Sequence, residues 1–124
     1  MERRVAGEVI ADMLGSAKEA LGEGSDGAKN VAAVLTAAAY EDTIRKMGAA
    51  LAGVPGCPDL QDILGALKVA GILSGAPLVT ALGHLKFRND ALHADWSNLD
   101  HAVVGSCLSF VKHLSPPSFT RCVK

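Results

Sequence analysis

Residues 28–52, AKNVAAVLTAAAYEDTIRKMGAALA, decide how this chain folds. Val34, Ala37, Tyr40, Ile44, Met47 and Leu51 recur at spacings of three and four, the period that stacks side chains on one face of an α-helix. Ser25 or Asp26 can cap its start by accepting a backbone N–H, and Gly53 and Pro55 mark its end. No other stretch is as long or as regular.

The neighbouring stretches read the same way. Upstream, Val5, Val9, Met13, Ala17 and Leu21 recur every four residues and predict a helix over 3–21, ended by Gly-Glu-Gly-Ser-Asp-Gly at 22–27. Downstream, Val54-Pro55-Gly56-Cys57-Pro58 is a turn signal, and Asp59 is placed to cap a helix over 60–73 that carries Leu60, Ile63, Leu64, Leu67 and Ala70. Pro77 suits the first turn of a fourth helix, where its missing N–H has no partner to lose. Leu78, Leu82, Leu85 and Leu92 mark the expected buried stripe of that helix, and Ala94-Asp95-Trp96 breaks it. Ser97 and Asp100 read as a capping box for a fifth helix with Leu99, Val103, Cys107, Phe110 and Leu114 inward. Ser115-Pro116-Pro117 is the expected stop. The prediction is an all-α, up-and-down bundle of four to five helices, one domain over 1–114 with a tail at 115–124.

Composition agrees. Of 124 residues 49% are apolar, yet only five are aromatic and twenty are alanine, which suits closely spaced helices better than a sheet. Such apolar content excludes an intrinsically disordered chain. Twelve basic and thirteen acidic residues leave a net charge of −1, so no overall positive field draws the molecule to nucleic acid or anionic lipid. Glu8 and Asp12 interrupt the apolar run an export signal needs, and the uncharged window 69–83 is too short to span a bilayer. A soluble, cytoplasmic protein is expected. Cys57, Cys107 and Cys122 are odd in number and form no CxxC pair, so they read as inert thiols and not as a disulfide or zinc framework. His84, His93, His101 and His113 offer no i, i+4 pair, and no glycine-rich phosphate loop is present. Neither a metal nor a cofactor is expected.

Residues 84–96, HLKFRNDALHADW, carry the chemistry. Asn89 continues the leucine stripe between Leu85 and Leu92, and a buried amide must be paired. At roughly 100° per residue, Arg88 and His93 lie about 140° apart on the helix while Asn89 and His93 lie about 40° apart. Arg88 offers a planar fork that matches phosphate oxygens, and His93 supplies an imidazole, the side-chain type suited to giving or taking a proton near neutral pH. Lys86 is expected on the outer face, and Trp96 can stack on a base or pack over the bundle end.

Arg88-Asn89-Asp90-Ala91-Leu92-His93 resembles the Arg-x4-His signature, with a polar residue after the Arg, of the HEPN (higher eukaryotes and prokaryotes nucleotide-binding) superfamily of helical bundles. The resemblance spans about 28–114, with the motif at the end of the penultimate helix. It implies a metal-independent endoribonuclease that acts as a homodimer through the motif helix and leaves a 2′,3′-cyclic phosphate. His93 would be the acid or base, Arg88 the phosphate contact and Asn89 the orienting residue, with Lys86 and Trp96 touching substrate. A toxin or phage-defence role, with RNA as substrate and a protein antitoxin or other protein as partner, would follow. Some relatives carry a Tyr two residues after the His as a modification acceptor; this chain has Asp95 there.

The same residues admit structural readings. Arg88 can pair with Glu41 or Asp42, Asn89 can bond a loop backbone group, and His93 can cap helix carbonyls. A catalytically silent helical module that binds a nucleotide, a protein or its own copy is the alternative.

Overall fold

The computed structural model describes residues 2–53 and 59–123, with side chains over 10–53 and 59–114. Five helices follow in order: α1 (Glu2–Glu23), α2 (Asp26–Leu51), α3 (Leu60–Val69), α4 (Gly75–Leu92) and α5 (His101–Val123), with a 3-10 turn at Trp96–Asn98 before α5. There is no strand among the described residues, so the chain is all-α. The expected turn at 54–58, and Cys57 with it, lie outside the described residues.

The long helix α2 is the axis, packed against all four others. Its alanines explain this, because Ala32, Ala33, Ala37 and Ala39 are all buried and let neighbouring backbones approach closely. Between them Tyr40, Ile44 and Met47 fill the core as predicted, and the Tyr40 hydroxyl donates to the Ala81 carbonyl of α4 at 2.7 Å. Val34, expected inward, is exposed: the alanines around it cover a wide arc, and the valine falls on its outer edge. Ser25 is the N-cap, its hydroxyl accepting from Ala28 N at 3.2 Å.

In α1 the buried positions are Ile10, Leu14 and Ala17, with Met13 and Leu21 half-buried; the Val5 and Val9 side chains lie outside the described residues. The third helix ends at Val69, short of the expected 73. Gly71 takes φ +77, and the Gly71 and Ile72 amides bond back to the Lys68 and Leu67 carbonyls, a left-handed stop that leaves Ala70 exposed. Asp59 precedes α3 but its side chain makes no capping bond.

The capping of α5 differs from the expected box. Asp100 Oδ1 accepts from Val103 N at 2.8 Å, while Ser97 donates its hydroxyl to Asp95, because the 3-10 turn carries Ser97 one turn too early to reach the helix. Helix α5 also continues to Val123 through Pro116 and Pro117. Proline forfeits the bond to the carbonyl four residues back, yet its fixed φ near −65° is itself helical, so the chain keeps its path where a tail was expected.

Candidate functional site

Helix α4 presents a different face to the core from the one its leucines suggest. Ala81, His84, Phe87 and Ala91 are buried, Leu78 and Leu85 are half-buried, and Leu82 and Leu92 are exposed. The packing partner decides this. Opposite α4 stands Tyr40, whose hydroxyl needs the Ala81 carbonyl, and His84 sits edge-on to the Tyr40 ring at 6.3 Å and against Phe110 at 5.2 Å. Asn89 is therefore not in a buried stripe; it is exposed, as are Lys86 and His93.

Arg88 points the other way, toward α2. Its Nε and Nη2 donate to Glu41 Oε1 at 3.0 and 2.9 Å, and Nη1 donates to Asn89 Oδ1 at 2.8 Å. The guanidinium is thus held on two sides with 23% of the side chain still open. Glu41 is shared, since Arg45 Nε donates to its other oxygen at 3.0 Å. Burial pushes the Glu41 carboxyl up, but the hydrogen bonds and charges of Arg45 and Arg88 outweigh that and hold it below the ordinary 4.5. The ion pair foreseen between Arg88 and Glu41 is formed. Arg45 was not singled out in advance, although its place four residues after Glu41 on α2 was the available signal.

His93 is the C-cap of α4, and its amide bonds back to the Asn89 carbonyl at 3.1 Å. Ala94 then takes φ +56, left-handed backbone in a non-glycine residue, and closes the helix with Ala94 N to Ala91 O and Asp95 N to Asp90 O. The reversal turns the chain back so that Trp96, half-buried, packs on the core. Asp95 is consumed locally, one oxygen accepting from Ser97 Oγ and the other from Asn98 Nδ2. Lys86 is likewise engaged, donating to Asp90 Oδ2 at 2.8 Å. The structure therefore brings Arg88 and Asn89 together with Glu41, leaves His93 open on a different sector, and places Trp96 beyond the turn.

Trp96 also lines a cleft of about 420 Å³ between the start of α2 and the start of α5, with Asp26, Lys29, Asn30, Asp100 and His101. Nothing in the residue spacing foretold this cleft, because its walls come from segments some 70 positions apart. No cluster of three or more metal-ligating side chains occurs among the described residues, and no helix among them is long and apolar enough to cross a membrane. Comparison with protein-family models, curated proteins and solved structures finds no match.

Proposed function

We propose that this chain is a HEPN-type, metal-independent endoribonuclease whose site is completed when two copies meet along α4. The observation that carries the reading is Arg88, a guanidinium fixed by Glu41 and Asn89 yet still partly open, five residues before an exposed His93 on the same helix end. A fixed cation suits phosphate, whose charge builds during in-line attack. The ribose 2′-hydroxyl gives its proton to one imidazole as its oxygen bonds to phosphorus. The bond from phosphorus to O5′ breaks, and an imidazolium returns a proton to O5′. The products are a 2′,3′-cyclic phosphate and a free 5′-hydroxyl. The left-handed Ala94 beside His93 supports the reading, because stored backbone strain concentrates at working sites. A toxin or defence effector restrained by a protein partner is the role proposed for such an enzyme.

One observation favours the second reading, a catalytically silent module of the same fold that binds a nucleotide, a protein or its own copy. Within a single chain Arg88 turns inward to a carboxylate and His93 turns outward, so the two share no crevice without a second copy. Incubating the purified chain with structured RNA in EDTA separates the readings. Cleavage to cyclic phosphate ends, lost in His93→Ala and Arg88→Ala variants that keep their helicity, supports the enzyme. Intact RNA at concentrations where the chain is dimeric supports the module.

A further inference from the structure

Helix α4 carries a second apolar stripe that the bundle leaves largely unused. Leu78, Leu82, Leu85, Asn89 and Leu92 recur at spacings of four, three, four and three, the heptad rhythm of a coiled-coil seam. In that rhythm Leu78, Leu85 and Leu92 take the d positions, and Leu82 and Asn89 the a positions. At about 100° per residue the stripe is centred roughly a third of a turn away from Ala81, His84, Phe87 and Ala91, which face the core. Leu82 and Leu92 are accordingly 41% and 55% exposed, Leu78 and Leu85 are half-buried, and the exposed Val79 widens the stripe at its start. The helix is already formed and held by α2, so a partner laid along it has no coil to order first.

The stripe selects a copy of itself as its occupant. No charge falls between residues 69 and 83, and the charges that flank its far end are matched within the chain, Lys86 by Asp90 and Arg88 by Glu41. Two copies therefore meet without repulsion in the self-complementary contact that a two-fold axis requires. Asn89 fixes the sense of the pairing. A lone amide in an apolar seam must be paired, and only a parallel arrangement sets it against another amide. Its oxygen accepts one bond, from Arg88, which leaves the second lone pair and both amide hydrogens for Asn89 of the partner subunit. An antiparallel pair centred between Leu82 and Leu85 would press Asn89 against a leucine.

We infer that α4 pairs in parallel with α4 of a second copy, Asn89 against Asn89 of the partner subunit, so that each site takes its guanidinium from one chain and its imidazole from the other. In a parallel heptad pair the g position of one helix stands beside the e position five residues further along its partner. Arg88 is at g and His93 at e, so the spacing of five that separates them along one chain brings Arg88 beside His93 of the partner subunit, once on each side of the seam. The interface stands on the stripe, and its bearing on catalysis rests on the ribonuclease reading.

Light scattering and sedimentation of the full-length chain are expected to show a dimer. Leu82→Lys or Leu92→Lys should weaken it about tenfold or more with circular dichroism unchanged, since both leucines are exposed in the single chain. In a Cys57→Ser, Cys122→Ser background, where the remaining Cys107 is fully buried, Leu92→Cys is expected to yield a disulfide-linked dimer on mild oxidation. In the antiparallel pair the two introduced thiols would stand roughly 25 Å apart at 1.5 Å per residue. Mixing Arg88→Ala chains with His93→Ala chains is expected to restore cleavage that neither shows alone, because each mixed dimer keeps one intact site. A monomer at every concentration, a dimer indifferent to both lysine substitutions, or a dimer without the Leu92→Cys cross-link would each overturn the parallel pair. Failure of the mixture where wild-type dimers cleave would overturn the shared site. The failures are separable: a cross-linked dimer that leaves RNA whole sinks the ribonuclease and keeps the interface, and cleavage by a monomer does the reverse.

Discussion

Arg88 and Glu41, 47 positions apart in sequence, are joined by two hydrogen bonds of 3.0 and 2.9 Å onto one carboxylate oxygen. They tie the end of α4 to the middle of α2, so the orientation of the candidate site is set by a helix that carries none of the motif. Glu41→Ala leaves a guanidinium less than a quarter exposed without its carboxylate. A loss of about 1–3 kcal/mol in urea unfolding is expected, between the values for exposed and buried pairs. Arg88→Lys is expected to lose the fork geometry and, with it, any ribonuclease activity, while keeping most of the stability.

Two groups give the fold separate acid sensitivities. The Glu41 carboxyl lies below its ordinary 4.5 in the folded chain, so its contribution is present above that pH and disappears as pH falls through the lower folded value. Burial lowers the His84 imidazole below its ordinary 6.5, so protonation opposes folding and stability declines as pH drops under about 6.5. Urea midpoints from pH 8 to 3 are expected to show both declines. His84→Leu should remove the upper one and Glu41→Gln the lower. Because His84 Nε2 is buried without a partner, His84→Leu is expected to cost little at pH 8.

The left-handed residue after His93 yields a gain-of-stability prediction. Ala94 occupies the position after the helix C-cap where glycine is usual, and an alanine there is strained by roughly 1–2 kcal/mol. Ala94→Gly is expected to raise stability by about 0.5–1 kcal/mol, after subtraction of glycine's greater freedom when unfolded. If the strain serves the proposed site, the same variant should cleave RNA more slowly; unchanged cleavage would assign the strain to folding alone.

The capping pattern at α5 can be checked by a pair of variants. Asp100→Ala removes the carboxylate that accepts from Val103 N and is expected to cost about 0.5–2 kcal/mol. Ser97→Ala removes a solvent-exposed hydroxyl bond to Asp95 and should cost well under half of that. Thermal melts of both variants rank the two residues directly, and a larger loss for Ser97→Ala would overturn the assignment.

Helix positions were legible in the sequence because glycines, prolines and short polar residues punctuate the apolar periods. Faces were less so. In α2 the period pointed correctly to Ala37, Tyr40, Ile44 and Met47, since polar residues occupy the opposite side around Glu41 and Asp42. In α4 apolar residues lie all round, and the leucines pointed to a face that is partly exposed. What turned the helix was the Tyr40 bond to the Ala81 carbonyl and the room left by small residues at 81 and 91, neither of which has a hydropathy signature. The candidate site inherited that shift: Asn89 moved from core to surface, while the pairing of Arg88 with Glu41 was legible because the carboxylate lay on the most regular helix.

Cys107 supplies a last prediction. It sits fully buried on α5 among the core side chains, and burial pushes its thiol up to about 12. The thiolate is the reactive form, so in the native protein Cys107 has neither the charge state nor the access for attack. With Cys57 and Cys122 replaced by Ser, a disulfide reagent such as Ellman's should label the folded chain at a rate limited by opening of the bundle. Labelling should become immediate in urea above the unfolding midpoint. Because Cys107 is fully buried in the core, the native labelling rate measures how often the bundle opens around it, and Glu41→Ala, which loosens α4 from α2, should raise it only to the extent that it lowers global stability. A rise well beyond that would mean that α4 and α5 open as a unit separate from the rest of the bundle.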